Sequence, residues 1–102
     1  MRQNTPKARS AHSLCAYKEK LVLFGGSGFF HQEIGMREAY NDLWMWDTGL
    51  KTSEWRQIEC KGSIPIKRMH HAAGCLGGVM LVVGGFNTEA KVVLDDYNLF
   101  DF

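Results

Sequence analysis

The chain has 102 residues, 45% apolar and 23% charged, the balance of a folded protein of at most one ordinary domain and not of a disordered segment. Its net charge is +1 and its basic residues are scattered, Lys18 and Lys20 in one turn, Lys67 and Arg68 in another; a nucleic-acid or anionic-membrane surface needs a clustered basic patch. No apolar run approaches the roughly 18 residues of a transmembrane helix, and the polar start MRQNTPKARS does not read as a signal peptide. Three cysteines at irregular spacing, Cys15, Cys60 and Cys75, then read as free thiols of a reducing compartment, the cytoplasm.

Residues 1–10 are polar, contain Pro6 and read as a lead-in. Residues 11–17 fit a strand, Lys18-Glu19-Lys20 a charged turn, and the apolar run Leu21-Val22-Leu23-Phe24, stopped by Gly25-Gly26, a strand buried on both faces. Residues 27–40 show no clear period and read as a loop, with room for one helical turn near Glu33. In residues 42–47, DLWMWD, Trp44 and Trp46 point to one face, Leu43 and Met45 to the other, so this third strand belongs to a sheet covered on both sides. Residues 48–53 are a turn, and residues 54–59, EWRQIE, alternate as a half-exposed fourth strand. After a linker at 60–68 the cycle restarts: strands at about 70–76, 79–84 and 96–101, with a Gly77-Gly78 turn and a loop from Phe86 to Leu94.

The restart is a duplication. PKARSAHSLCAYKEKLVLFGG, residues 6–26, returns 59 positions later as PIKRMHHAAGCLGGVMLVVGG, with Pro6 on Pro65, Arg9 on Arg68, His12 on His71 and Gly25-Gly26 on Gly84-Gly85. Residues 41–47 match residues 95–101 at an offset of 54, because the intervening loop is shorter in the second copy. Such a unit cannot bury its own apolar surface and must stack on a copy. Four short strands leave no room for crossover helices, so the sheets are antiparallel.

An Arg-x-x-His start, an apolar strand ending in Gly-Gly, an aromatic-Asp strand end and a later Trp resemble the kelch repeat, the blade of one family of β-propellers. The first copy, residues 1–59, carries Arg9, His12, Gly25, Gly26, Trp46, Asp47 and Trp55; the second, residues 60–102, carries Arg68, His71, Gly84, Gly85, Phe100 and Asp101 and lacks the fourth strand. The resemblance implies an all-β fold of two four-stranded antiparallel blades, the second incomplete. Both periods exceed the roughly 50 residues usual for kelch. Propellers close with about four to eight blades, so the chain reads as a piece of a longer propeller or one that assembles with copies of itself. A WD40 blade, suggested by Trp46-Asp47, has a shorter period and begins with Gly-His, whereas His12 follows Ala11 and His71 follows His70.

Chemistry is sparse. His12 and Cys15 are three apart and face opposite ways; His71 and Cys75 share a face but would stand roughly 13 Å apart, too far for one metal ion. Gly25-Gly26-Ser27-Gly28 lacks the lysine and helix of a phosphate loop and reads as a turn at a strand end with backbone close by. Asp42, Asp47, Asp95 and Asp96 have no partnered base or nucleophile in the pattern, and the repetition of Asn41-Asp42 as Asp95-Asp96 favours a turn or strand-entry role. No metal, cofactor or catalytic group is expected. Trp44, Trp46 and Trp55 read as packing residues.

Since an active surface is usually needed once, the unrepeated residues 27–40 are the candidate site. Phe29, Phe30, His31, Met36, Arg37 and Tyr40 include types enriched at binding hot spots; the plainer alternative is that the phenylalanines tuck onto the blade. Kelch propellers similar to this chain mostly present loops to partner proteins, which implies a non-enzymatic protein-recognition module with an adaptor, cytoskeletal or traffic role. A piece of a kelch-propeller enzyme whose active site lies in other blades, and a self-assembling structural module, are the alternatives. The apolar residues on both sides of Leu21–Phe24 and Val79–Val83 imply association with further blades or with copies.

Overall fold

The computed structural model of the chain describes residues 5–33, 35–49, 54–62 and 64–102. Its strands are β1 (Ser13–Tyr17), β2 (Lys20–His31), β3 (Met36–Asp47), β4 (Arg56–Ile58), β5 (Ala72–Leu76), β6 (Val79–Asn87) and β7 (Val92–Asp101). They form two antiparallel sheets in sequence order, β1-β2-β3-β4 and β5-β6-β7. Among the described residues every element is a strand, so the expected all-β pair of blades is present, the second one strand short.

Residues 27–40 are not a loop. β2 continues through the glycine pair to His31 and β3 begins at Met36, so the segment is the far half of a long hairpin: Gly26 pairs with Tyr40, Ser27 with Ala39, Phe30 with Arg37 and His31 with Met36. The Gly35 N–H donates to the His31 carbonyl at 2.8 Å and closes the turn. The sequence hides this because the register shifts twice, between Phe24 and Gly26 and between Ser27 and Phe30. Each bulge inserts a residue and breaks the period of two on which strand recognition rests. The second copy is corrected likewise: Phe86 and Asn87 lie in β6 and residues 92–94 in β7. Only a short turn separates them, in which Asn87 Oδ1 accepts the Ala90 N–H at 2.7 Å.

The glycines do not end their strands either. Gly26 and Gly85 have φ of 106° and 104°, a region that L side chains rarely enter. A Cβ on Gly26 would stand 2.8 Å from the Ser10 carbonyl oxygen, and one on Gly85 would stand 2.7 Å from that of Met69. The expected close backbone is therefore there, as a chain crossing beside a bulge. Ser10 exchanges backbone hydrogen bonds with Ser27 (2.9 and 2.8 Å) and Met69 does so with Phe86 (3.0 and 2.9 Å). The Asx pairs sit inside strands, not at turns: Asn41 and Asp42 within β3, Asp95 and Asp96 within β7. The expected lead-in at residues 1–4 and turn at residues 50–53 lie outside the described residues.

The two sheets pack face to face. Cys15, Val22, Phe24, Leu43, Met45 and Ile58 lie on the face of the first blade that meets Ala73, Cys75, Met80, Val82 and Phe100 of the second. Val22, Phe24, Leu43, Met80 and Val82 are buried at its centre, each stabilising the seam by about 2 kcal/mol. The Phe24 ring meets Phe100 at 5.2 Å between centroids.

Candidate functional site

The strongest polar feature is made twice. Arg9, with a buried side chain, reaches Asp42 through two parallel hydrogen bonds, donates to the Gly25 carbonyl at 3.0 Å and, through Nε, to the Lys7 carbonyl at 3.0 Å. Arg68 repeats it on Asp96 (2.7 and 2.9 Å), Gly84 (3.0 Å) and Ile66 (3.1 Å). The planar guanidinium fits this fork, which an ammonium could not fill. Burial pushes Asp42 up, but hydrogen bonds from Arg9 and from Trp44 Nε1 (2.7 Å) outweigh it, and its pKa is lowered. Hydrogen bonding from Arg68 brings Asp96 down to about 2. Both carboxylates are thus partnered by an arginine, and not by a base or nucleophile. The recurrence itself was the available signal, since each copy carries an aspartate along with its arginine.

Arg68 also joins the blades. Its N–H donates to the Tyr40 carbonyl at 3.0 Å and its carbonyl accepts the Gly26 N–H at 2.8 Å. His71 crosses the seam too, with Nε2 2.9 Å from Ser13 Oγ and its ring edge-on to Phe24 at 5.4 Å. Burial, then the Arg68 charge, lower its pKa to about 4, so it is neutral at physiological pH. Its counterpart His12 is exposed, with its Cβ against Gly26. Trp46 packs edge-on against Trp55 at 5.5 Å, Asp47 accepts the Gly49 N–H at 3.0 Å, and Asp101 is exposed at the end of β7.

The six candidate residues of the unrepeated segment do not form one cluster. Phe29 and Phe30, 66% and 52% exposed, stand at the end of the hairpin and do not tuck onto the blade. Arg37 lies across from Phe30 and donates to the Gly28 carbonyl at 3.2 Å, holding the bulge. His31, opposite half-buried Met36, places Nε2 2.9 Å from Glu38 Oε1. Tyr40 lies further down the hairpin, its hydroxyl donating to Glu38 Oε2 at 2.7 Å and its ring under the Arg9 guanidinium at 4.3 Å. Burial and the Glu38 bond push its phenol up to about 12. Glu38, lowered by the Tyr40 and His31 hydrogen bonds, is the centre of this network and was missed. Read as a strand, residues 38 and 40 would have shared a face. Thr88 of the second blade braces the hairpin by donating to the Arg37 carbonyl at 3.0 Å.

Beside the hairpin lies a cleft of about 630 Å³ bordered by Lys7, Arg9, Glu38, Tyr40, Asp42 and Lys67. Asp42 is engaged by Arg9, and Glu38 by His31 and Tyr40. A carboxylate held ionised by arginine is a poor general acid near neutral pH. Among the described residues no group of three or more His, Cys, Asp or Glu is placed to hold a metal ion. The end of the hairpin keeps Phe29 and Phe30 exposed, with Arg37 paired across from Phe30.

Comparison with known proteins agrees with this architecture. The model of the KLHDC2/KLHL20/DRC7 Kelch-repeats domain matches residues 1–102. The chain is similar to a putative adagio-like protein 2 of Oryza sativa subsp. japonica (33% identical, 97% of the chain, 14% of that protein) and to Kelch domain-containing protein 3 of Rattus norvegicus (29%, 94% of the chain, 24% of that protein). It is also similar to host cell factor 2 of Homo sapiens (32%, 84% of the chain, 11% of that protein). The chain therefore spans a quarter or less of the length of these relatives. With the family model covering every residue and two blades built on one duplicated Arg–Asp fork, the chain belongs to the kelch-repeat family.

Proposed function

We propose that the chain is part of a kelch propeller that recognises a protein partner through the end of the β2–β3 hairpin, with Phe29 and Phe30 as apolar anchors and Arg37 beside them. One observation carries this reading. Two adjacent phenylalanines are more than half exposed on a hairpin that its own blade and Thr88 hold in place. Aromatic and arginine side chains on a pre-ordered element bind with little ordering cost. Membership of the kelch-repeat family supports an interaction role. Free cysteines fit a reducing compartment such as the cytoplasm.

The test is photo-crosslinking in the organism's own extract. A photoreactive residue at Phe29 should capture a discrete protein that the same residue at exposed Lys91, in the short β6–β7 turn, does not. Phe29→Ala/Phe30→Ala should weaken that complex at least tenfold without changing the melt. Undiminished binding by the double variant would rule the hairpin out.

A further inference from the structure

β1 and β5 are the neighbouring strands of the two blades, and each carries one cysteine into the seam. Cys15 is paired in register with Val22, and Cys75 with Met80. Val22 and Met80 are both fully buried in the shared core, against which the two cysteines pack from opposite sheets. β1 and β5 are in contact there, which sets the two cysteines facing each other across the seam. They are not a repeated feature. The 59-residue shift puts Cys15 on Gly74 and Cys75 on Ala16, so they face each other because facing surfaces of stacked repeats use opposite positions of the strand. A cleft of about 460 Å³, lined by Ala16, Tyr17, Lys18, Cys75, Leu76 and Gly77, opens onto this end of the seam and admits a small molecule to Cys75. Cys60 lies elsewhere, in the cleft between β4 and β7.

We propose that Cys15 and Cys75 are a redox-sensitive pair that closes to an inter-blade disulfide under a two-electron oxidant of the peroxide class. A thiolate of the pair attacks one oxygen of hydrogen peroxide. The O–O bond breaks, leaving a sulfenic acid and, after protonation, water. The second thiolate attacks that sulfur, the S–O bond breaks, and hydroxide leaves as a second water. Two S–H bonds are lost, one S–S bond forms, and the two electrons reduce the peroxide. Burial and the neighbouring Cys15 push the Cys75 thiol up to about 11, so Cys75 rests as a thiol and the bond closes faster as pH rises. The bond locks β1 to β5 and constrains the unfolded chain between residues 15 and 75, raising the melting temperature by roughly 10 °C.

The test treats the reduced chain with equimolar hydrogen peroxide, alkylates it under denaturing conditions and maps the peptides by mass. The expected product is a monomer lighter by two hydrogens, with Cys15 linked to Cys75 and Cys60 alkylated. Cys60→Ser should keep the oxidative rise in melting temperature and Cys15→Ser should abolish it; if Cys15→Ser does not fold, the native peptide map decides. Three thiols still open to alkylation, a disulfide through Cys60, oxidation that stops at sulfinic acid on either cysteine, or a melting rise that survives Cys15→Ser would each overturn the pair.

Discussion

Val22, Phe24 and Leu43 in the first blade and Leu81, Val83 and Tyr97 in the second hold equivalent places in the duplicated sequence. The first three are buried by the second blade; the others are 39%, 42% and 70% exposed. Sequence and strand pairing are alike, so the difference comes only from what lies in front. The lesson concerns the unit of stability. A kelch blade specifies its own hydrogen-bonded ladder and Arg–Asp fork, but its apolar face is finished by a neighbour. The corresponding face of the second blade stays exposed among the described residues.

The largest expected effect breaks the equivalence of these faces. Val22→Lys buries an unpaired ammonium between the sheets and should leave the chain unfolded. Leu81→Lys, at the matching position, should change stability by no more than about 0.5 kcal/mol. The native chain should associate at micromolar concentration through its open face and through the free edge of β7, and Leu81→Lys should reduce that association. Denaturant melts with light scattering check both. A cooperative melt of the native chain at a monomer mass of 11.6 kDa would show that two blades suffice.

The forks offer a finer contrast. Asp42 is 21% exposed and Asp96 42%. Asp42→Ala strands Arg9 away from water and should cost about 3–5 kcal/mol, as expected when one partner of a buried pair is removed. Around Arg68 water can take the place of the missing Asp96 carboxylate, so Asp96→Ala should cost about 1–2 kcal/mol. Equal losses in urea melts would mean that a fourth strand or another copy covers Asp96 in solution.

His71 has a folded pKa of about 4 against about 6.5 for a free imidazole. The native state resists a proton that the unfolded chain accepts. Stability should therefore be full above about pH 6.5, fall as pH drops toward 4 and level off below that, with a total loss of about 2–3 kcal/mol. Arg68, His12 and His70 are the charges that act on the ring. The lowered Asp96 adds a separate loss below about pH 3.8. His71→Gln should flatten the slope between pH 6.5 and 4.

How much of this was legible depends on periodicity and range. The blades, their order and antiparallel pairing followed from the duplication, because Arg9/Arg68, Gly25-Gly26/Gly84-Gly85 and Trp46/Phe100 kept their register. The long hairpin did not, because bulges at Gly26 and Phe30 erase the alternation. The Asp42 and Asp96 forks were in the pattern, but each arginine lies a whole hairpin away from its carboxylate. Cys15 with Cys75 was hidden because the two lie on strands of different copies, and the alternation within one strand says nothing about what faces it across stacked copies.

The smallest effect concerns a strain that both copies keep. Ala11 and His70, equivalent at the 59-residue shift, have φ of 58° and 56°, which costs an L residue roughly 1–2 kcal/mol. The conformation is held from both sides. Ser10 and Met69, one residue earlier, are bridged to Ser27 and Phe86, and β1 and β5 begin two residues later. The chain must turn from one pairing to the next in that space. The His70 N–H also donates to the Ala11 carbonyl at 2.9 Å, so the two strained residues meet at the seam. Ala11→Gly removes the Cβ conflict and keeps that carbonyl, while adding some unfolded-state entropy. The net should be a gain of about 0.5–1 kcal/mol, read as a higher urea midpoint with unchanged slope. A loss instead would mean that the Ala11 methyl group packs in the seam strongly enough to outweigh its strained backbone.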